Sequence, residues 1–216
     1  MVVRAGALLA ITMLGSAAPL RAQDSGAWQV GFDMLQSASG SRPGNVFSGQ
    51  MRGVREQAVA LRLSTSLARL GAVRLRYTAQ VVPYQAMRGV ERYTAFANGD
   101  TVTAYILQGY TTARGAGVVP LGLDLGVALG PRVLVSAGAG VGIAAFTQHV
   151  PVAGSRQRAF TAEWGTRLQL DLRRGRSLDI GYRWKHTSNG LTAYENPGVD
   201  SRLVTLGVGW TVRVPR

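Results

Sequence analysis

The sequence predicts an all-β protein, an eight-stranded antiparallel transmembrane β-barrel. Three observations predict it: an export leader, pervasive period-two alternation in segments of about ten residues, and connections that alternate short and long. The leader comes first in the chain. Arg4 supplies a positive start, Ala5 to Leu14 form an apolar run too short to span a bilayer, and small residues lead to Ala22. That order reads as a secretory signal peptide over 1–22, with residues 23–216 as one barrel domain.

Alternation is clearest near the C-terminal end. Leu178, Ile180, Tyr182 and Trp184 share one face, interleaved with Asp179, Gly181, Arg183 and Lys185. Phe160, Ala162, Trp164, Leu168, Leu170 and Leu172 do the same, as do Val59 to Leu67, Val119 to Val127 and Val133 to Ile143. Strands are expected at 27–36, 56–68, 71–83, 117–128, 132–147, 158–173, 176–188 and 199–212. Short turns fall at Arg69-Leu70, Leu129-Gly130-Pro131 and Arg174-Gly175. Long loops fall at 37–55, 84–116, 148–157 and 189–198, with YILQGY in the second able to extend its strands above the membrane. Trp210 suits an interfacial aromatic girdle.

The polar face carries both charge signs and many glycines. In a membrane barrel that face lines the lumen and the apolar face meets lipid. Arg62, Arg74, Asp124, Glu163, Arg167, Asp171, Asp179 and Arg183 are therefore expected as an ion-pair network filling a narrow interior, and a pore would need more strands. There is no Cys, which excludes disulfides and thiolate metal sites. The net charge of +13 is expected to face an anionic lipid surface; no nucleic-acid motif accompanies it. The expected location is a bacterial outer membrane.

Parity singles out the end of the seventh strand. His186 and Ser188 continue the lipid-facing row, and Asp200 shares the lipid-facing parity of Val204, Leu206, Val208 and Trp210 on the eighth. Residues i and i+2 of a strand lie about 6.6 Å apart on one face, and a neighbouring strand can bring a cross-strand partner. The reading is catalytic: Ser188 as nucleophile, His186 as base, Asp200 as its orienter. Asn189, the Gly190 amide and Asn196 are candidate oxyanion donors, and Arg202 a candidate for binding a phosphate. A nucleophile facing lipid needs an ester at membrane depth, which acylated lipopolysaccharide offers. His149 falls in an expected loop.

This stretch resembles the outer-membrane lipid A 3-O-deacylase family, the β-barrel acyloxyacyl hydrolases. His186, Ser188 and Asn189 match its His-any-Ser-Asn motif, Asn196-Pro197-Gly198 matches the later part, and its acid falls on Asp200. GAGVVPLGLDLG and SAGAGVGIA look like its middle strands. The resemblance is specific over about thirty C-terminal residues and loose over strands 4 to 6. It implies hydrolysis of the 3-hydroxyacyl ester at position 3 of lipid A, with no metal or cofactor. The family usually has Glu where Asp200 stands, so the shorter acid must sit closer to His186 or act through water. The glycine comes one position early, at Gly190, and Glu195 is a rival acid. The sequence leaves the oligomeric state open, a homodimer included. The competing readings are a non-enzymatic structural or adhesive outer-membrane barrel, and a soluble carrier with an apolar interior.

Overall fold

The computed structural model describes residues 27–42, 51–98, 101–150, 152, 155–193 and 197–213. The expected leader, Glu195 and Asn196 lie outside the described residues. Eight strands form a closed barrel in which each pairs antiparallel with its sequence neighbours and the first closes on the last. They are β1 (Ala27–Ser37), β2 (Arg55–Leu70), β3 (Val73–Asn98), β4 (Thr101–Ala128), β5 (Val133–Val150), β6 (Arg156–Asp171), β7 (Arg176–Ser188) and β8 (Val199–Arg213). Closure leaves every strand paired on both sides, the condition for backbone to cross hydrocarbon.

The alternation resolves into an inverted distribution of polarity. Phe32, Met34, Leu61, Val81, Leu121, Leu123, Leu125, Ile180, Leu206 and Trp210 stand exposed on the outer wall. Asp33, Glu56, Arg62, Asp124, Glu163, Asp179, Arg183 and Lys185 are buried in the lumen. Such a surface is stable only where the surrounding solvent is lipid, and the soluble-carrier reading is overturned.

The lumen is filled by paired charges from strands far apart in sequence. The Arg62 guanidinium lies 2.9 Å from Asp33 and 2.5 Å from Asp179. Arg76 and Arg167 share Asp124, and Arg183 pairs with Glu163 at 2.9 Å. Gln80 bridges Arg183 and Glu163. Glycine makes the room: a Cβ on Gly207 would strike the Asp33 carboxylate, and one on Gly138 that of Asp124. A mid-barrel cavity of about 40 Å³, lined by Gln80, Asp124, Glu163, Arg167 and Arg183, holds at most a few waters. At the end remote from the termini the lining turns apolar: Met51, Val54, Met87, Val90, Ala113, Phe146, Val150 and Val199 pack as one cluster. Among the described residues, ion pairs fill the middle of the lumen and this cluster fills its far end.

Two expectations need correction. Residues 84–116 are not a loop: β3 and β4 run on as a paired hairpin to Asn98 and Thr101. Register shifts between Thr78 and Gln80, Val82 and Gln85, and Arg88 and Val90 reset side-chain parity each time, so no single alternation is visible in the sequence. His149 lies on β5 rather than in a loop, which shortens the following connection. The β6–β7 turn contains a single 3-10 turn, Arg173–Gly175.

Candidate functional site

The site is a patch of the outer wall on β6, β7 and β8. Odd-numbered β7 residues point inward: Asp179, Arg183, Lys185 and Thr187 are all buried. Tyr182, Trp184, His186 and Ser188 therefore project outward. On β8, Ser201, Leu203 and Thr205 are buried, so Asp200 and Arg202 also face out. The imidazole is not in the lumen.

Register completes the arrangement. His186 is directly opposite Asp200 on β8 and opposite Ala162 on β6. His186 Nδ1 lies 2.7 Å from Asp200 Oδ1, with the two side chains 14% and 13% exposed. Nδ1–H donates to the carboxylate, a charge-assisted bond shielded from bulk water. The direct contact removes the need for a water between the short acid and the ring. Ser188 stands two residues along the same face, opposite Phe160. Arg202 is two residues from Asp200, opposite Trp184.

The loop after Ser188 turns sharply through Gly190 and Leu191, both at φ 64. A Cβ on Gly190 would meet the Phe160 ring at 2.6 Å, so both backbone and space require glycine there. Gly190 is exposed, whereas Asn189 is fully buried and continues the inward parity. Of the expected oxyanion donors, the Gly190 amide lies at the surface, Asn189 lies behind it, and Asn196 falls outside the described residues.

Several further contributors emerge only from contacts between strands. Arg156 of β6 donates through Nε and Nη2 to the Thr192 carbonyl at 3.2 and 3.1 Å, tying the β7–β8 loop to the neighbouring hairpin. Trp164 and Trp184 stack with centroids 4.1 Å apart, and Tyr182 meets Trp184 edge-on. Their lipid-facing parity was legible, but not the cross-strand contact that joins them. Lys185 is bonded to Glu56 at 2.5 Å and to Gln85 at 3.0 Å in the lumen immediately behind His186. An apolar groove on the outer wall, lined by Tyr77, Leu121, Leu123, Val141, Ala162 and Trp164, ends at Ala162, the cross-strand neighbour of His186. Among the described residues no cluster of His, Cys, Asp or Glu is suited to hold a metal.

Fold and site together define a membrane-embedded β-barrel with a His–Asp pair on its lipid-facing wall. The chain belongs to the lipid A 3-O-deacylase (PagL) family, whose model matches residues 71–209. Among solved structures it is similar to the outer membrane enzyme PagL, with 17% identity, TM-score 0.57, and coverage of 82% of this chain and 97% of that one. It is also similar to Ail, the attachment invasion locus protein of Yersinia pestis (12% identity, TM-score 0.40, 87% and 99% covered). Neisserial surface protein A is a third (13% identity, TM-score 0.39, 85% and 95% covered). No curated protein matches the chain by sequence.

Proposed function

We propose that this protein is an exported outer-membrane esterase that removes the 3-hydroxyacyl chain at position 3 of lipid A. The observation that carries the reading is the 2.7 Å His186–Asp200 bond on the lipid-facing wall, two residues from a hydroxyl on the same face. Family membership supports the substrate class. Residues 1–22 act as the export signal, and the remainder is the barrel.

Ser188 Oγ attacks the ester carbonyl carbon and passes its proton to His186 Nε2, since Nδ1 is engaged by Asp200. The oxyanion is held by the Gly190 amide, with Asn196 as a further donor; Asn189, buried on the inward side, supports the turn behind it. The imidazolium then protonates the departing sugar oxygen, leaving an acyl-Ser188 ester. Water, deprotonated by His186, cleaves that ester, releases the 3-hydroxy fatty acid and returns the proton to Ser188. Asp200 stabilises the imidazolium in both halves. No metal or cofactor enters these steps. The groove at Ala162 suits an acyl chain lying along the barrel wall, and Arg202 suits a lipid A phosphate.

Mass spectra of lipid A before and after incubation with the detergent-folded barrel test the reading. Loss of one 3-hydroxyacyl mass is expected. Ser188→Ala should abolish the loss while the barrel stays folded; retained hydrolysis would remove Ser188 as nucleophile.

A further inference from the structure

On the far side of the barrel, four strands from β7, the outer wall carries a second polar constellation. Register places Arg55 of β2 directly opposite Arg88 of β3. Arg88 is in turn opposite Thr112 of β4, and Ala86 is opposite Arg114. The residues between them settle the direction: Glu56, Met87 and Ala113 are buried inside. Arg55, Arg88 and Arg114 therefore project outward, and all three are exposed. Ala86, on the same outward face and opposite Arg114, is only 2% exposed.

Like charges directly opposite on one sheet face repel. Among the described residues, no carboxylate pairs with any of the three arginines. The closest carboxylate along β3 is Glu91, beyond the bulge at Gly89 (φ 85). An arrangement that is unfavourable alone becomes favourable when an anion bridges the guanidinium groups. Height on the wall selects the anion. Leu61, Val81 and Val118, lower on the same strands, belong to the exposed apolar band, so the arginines occupy the first charged level above hydrocarbon, where headgroup phosphates lie. The three cations of this patch carry the planar fork that can grip phosphate through two bonds.

We propose that Arg55, Arg88 and Arg114 form a binding site for the phosphorylated headgroup of a membrane lipid, separate from the ester-cleaving wall. The inference rests on the barrel and its position in lipid, not on the esterase reading. The site holds one phosphorylated lipid against β2–β4 and anchors the barrel at a fixed depth in the bilayer.

The test uses the full chain folded in neutral detergent micelles. Diphosphoryl lipid A is the probe, and the same lipid stripped of phosphate is the control. Arg55→Gln/Arg88→Gln/Arg114→Gln is compared with the parent patch, both carrying Ser188→Ala so that the probe survives if the esterase reading holds. Bound lipids are counted by native mass spectrometry, and affinity is titrated at low and high salt. The parent is expected to retain one more diphosphoryl lipid than the variant and to bind it at least about tenfold more tightly at low salt. High salt should narrow the gap, and the phosphate-free lipid should bind both equally. Equal stoichiometry and affinity for the diphosphoryl lipid would overturn the proposal. Equally effective capture of inorganic phosphate would overturn its assignment to a lipid. A second variant, with all three arginines changed to Lys, keeps the charge and loses the fork. It should bind between the other two, and it keeps the test alive if the Gln variant does not fold.

Discussion

Asp200→Asn tests the chemistry most directly. The carboxylate sits 2.7 Å from His186 Nδ1, and both side chains are largely shielded. A charge-assisted hydrogen bond of this kind contributes about 1.5–3 kcal/mol. When the imidazole becomes cationic in the transition state, losing the negative partner slows turnover by roughly 10- to 150-fold at about 1.36 kcal/mol per decade. An amide can also turn its NH₂ toward Nδ1, which favours the tautomer with the proton on Nε2. That nitrogen then cannot accept the Ser188 proton, and the loss extends toward about 10⁴-fold. The expected range is therefore about 10- to 10⁴-fold in kcat, with KM little changed, because ground-state lipid binding uses other groups. Initial rates of 3-hydroxy fatty acid release from lipid A in mixed micelles measure it, with heat-dependent electrophoretic mobility as the fold control. Asp200→Glu restores the charge but adds a methylene to a pair that already meets directly, and should fall between the parent and Asp200→Asn. Glu195→Gln should leave the rate within about twofold, as a carboxylate outside the pair. A folded Asp200→Asn barrel within about threefold of the parent rate would refute the assigned role of the pair.

Other expectations follow from neighbouring contacts. Gly190→Ala forces a Cβ into the Phe160 ring at a positive-φ position. It should reduce kcat by about tenfold or more while the melting temperature of the barrel barely moves. Ala162→Phe should close the groove beside His186, slowing hydrolysis of long-chain esters while sparing a short soluble ester; equal effects on both would argue against acyl binding there. Lys185→Met leaves Glu56, fully buried, without its ammonium partner and should cost about 3–5 kcal/mol in denaturant unfolding. The double variant Lys185→Met/Glu56→Gln should recover most of that loss.

Much of the architecture was written in local pattern. Strand parity depends only on the two-residue period of extended chain, so the outward direction of His186, Ser188 and Asp200 could be read from Tyr182, Trp184 and Val204 beside them. The eight strands and the lumen charges followed from the same period. The β3–β4 hairpin did not, because bulges around Gln80, Gln85 and Gly89 shift the phase of the alternation. The Arg156 latch on Thr192 and the Trp164–Trp184 stack were equally hidden, since each needs the register between two strands.

Sequence alone determined which residues share a face, because neighbouring side chains must alternate along an extended backbone. It also supplied the motif residues and the excess of cationic over anionic side chains. Tertiary structure decided which groups meet. Arg62 reaches Asp179 and Lys185 reaches Glu56 across 117 and 129 residues, and Arg55 comes to oppose Arg88. Those distances are set by ring closure and strand register, which are properties of the whole hydrogen-bonded barrel and of no single segment.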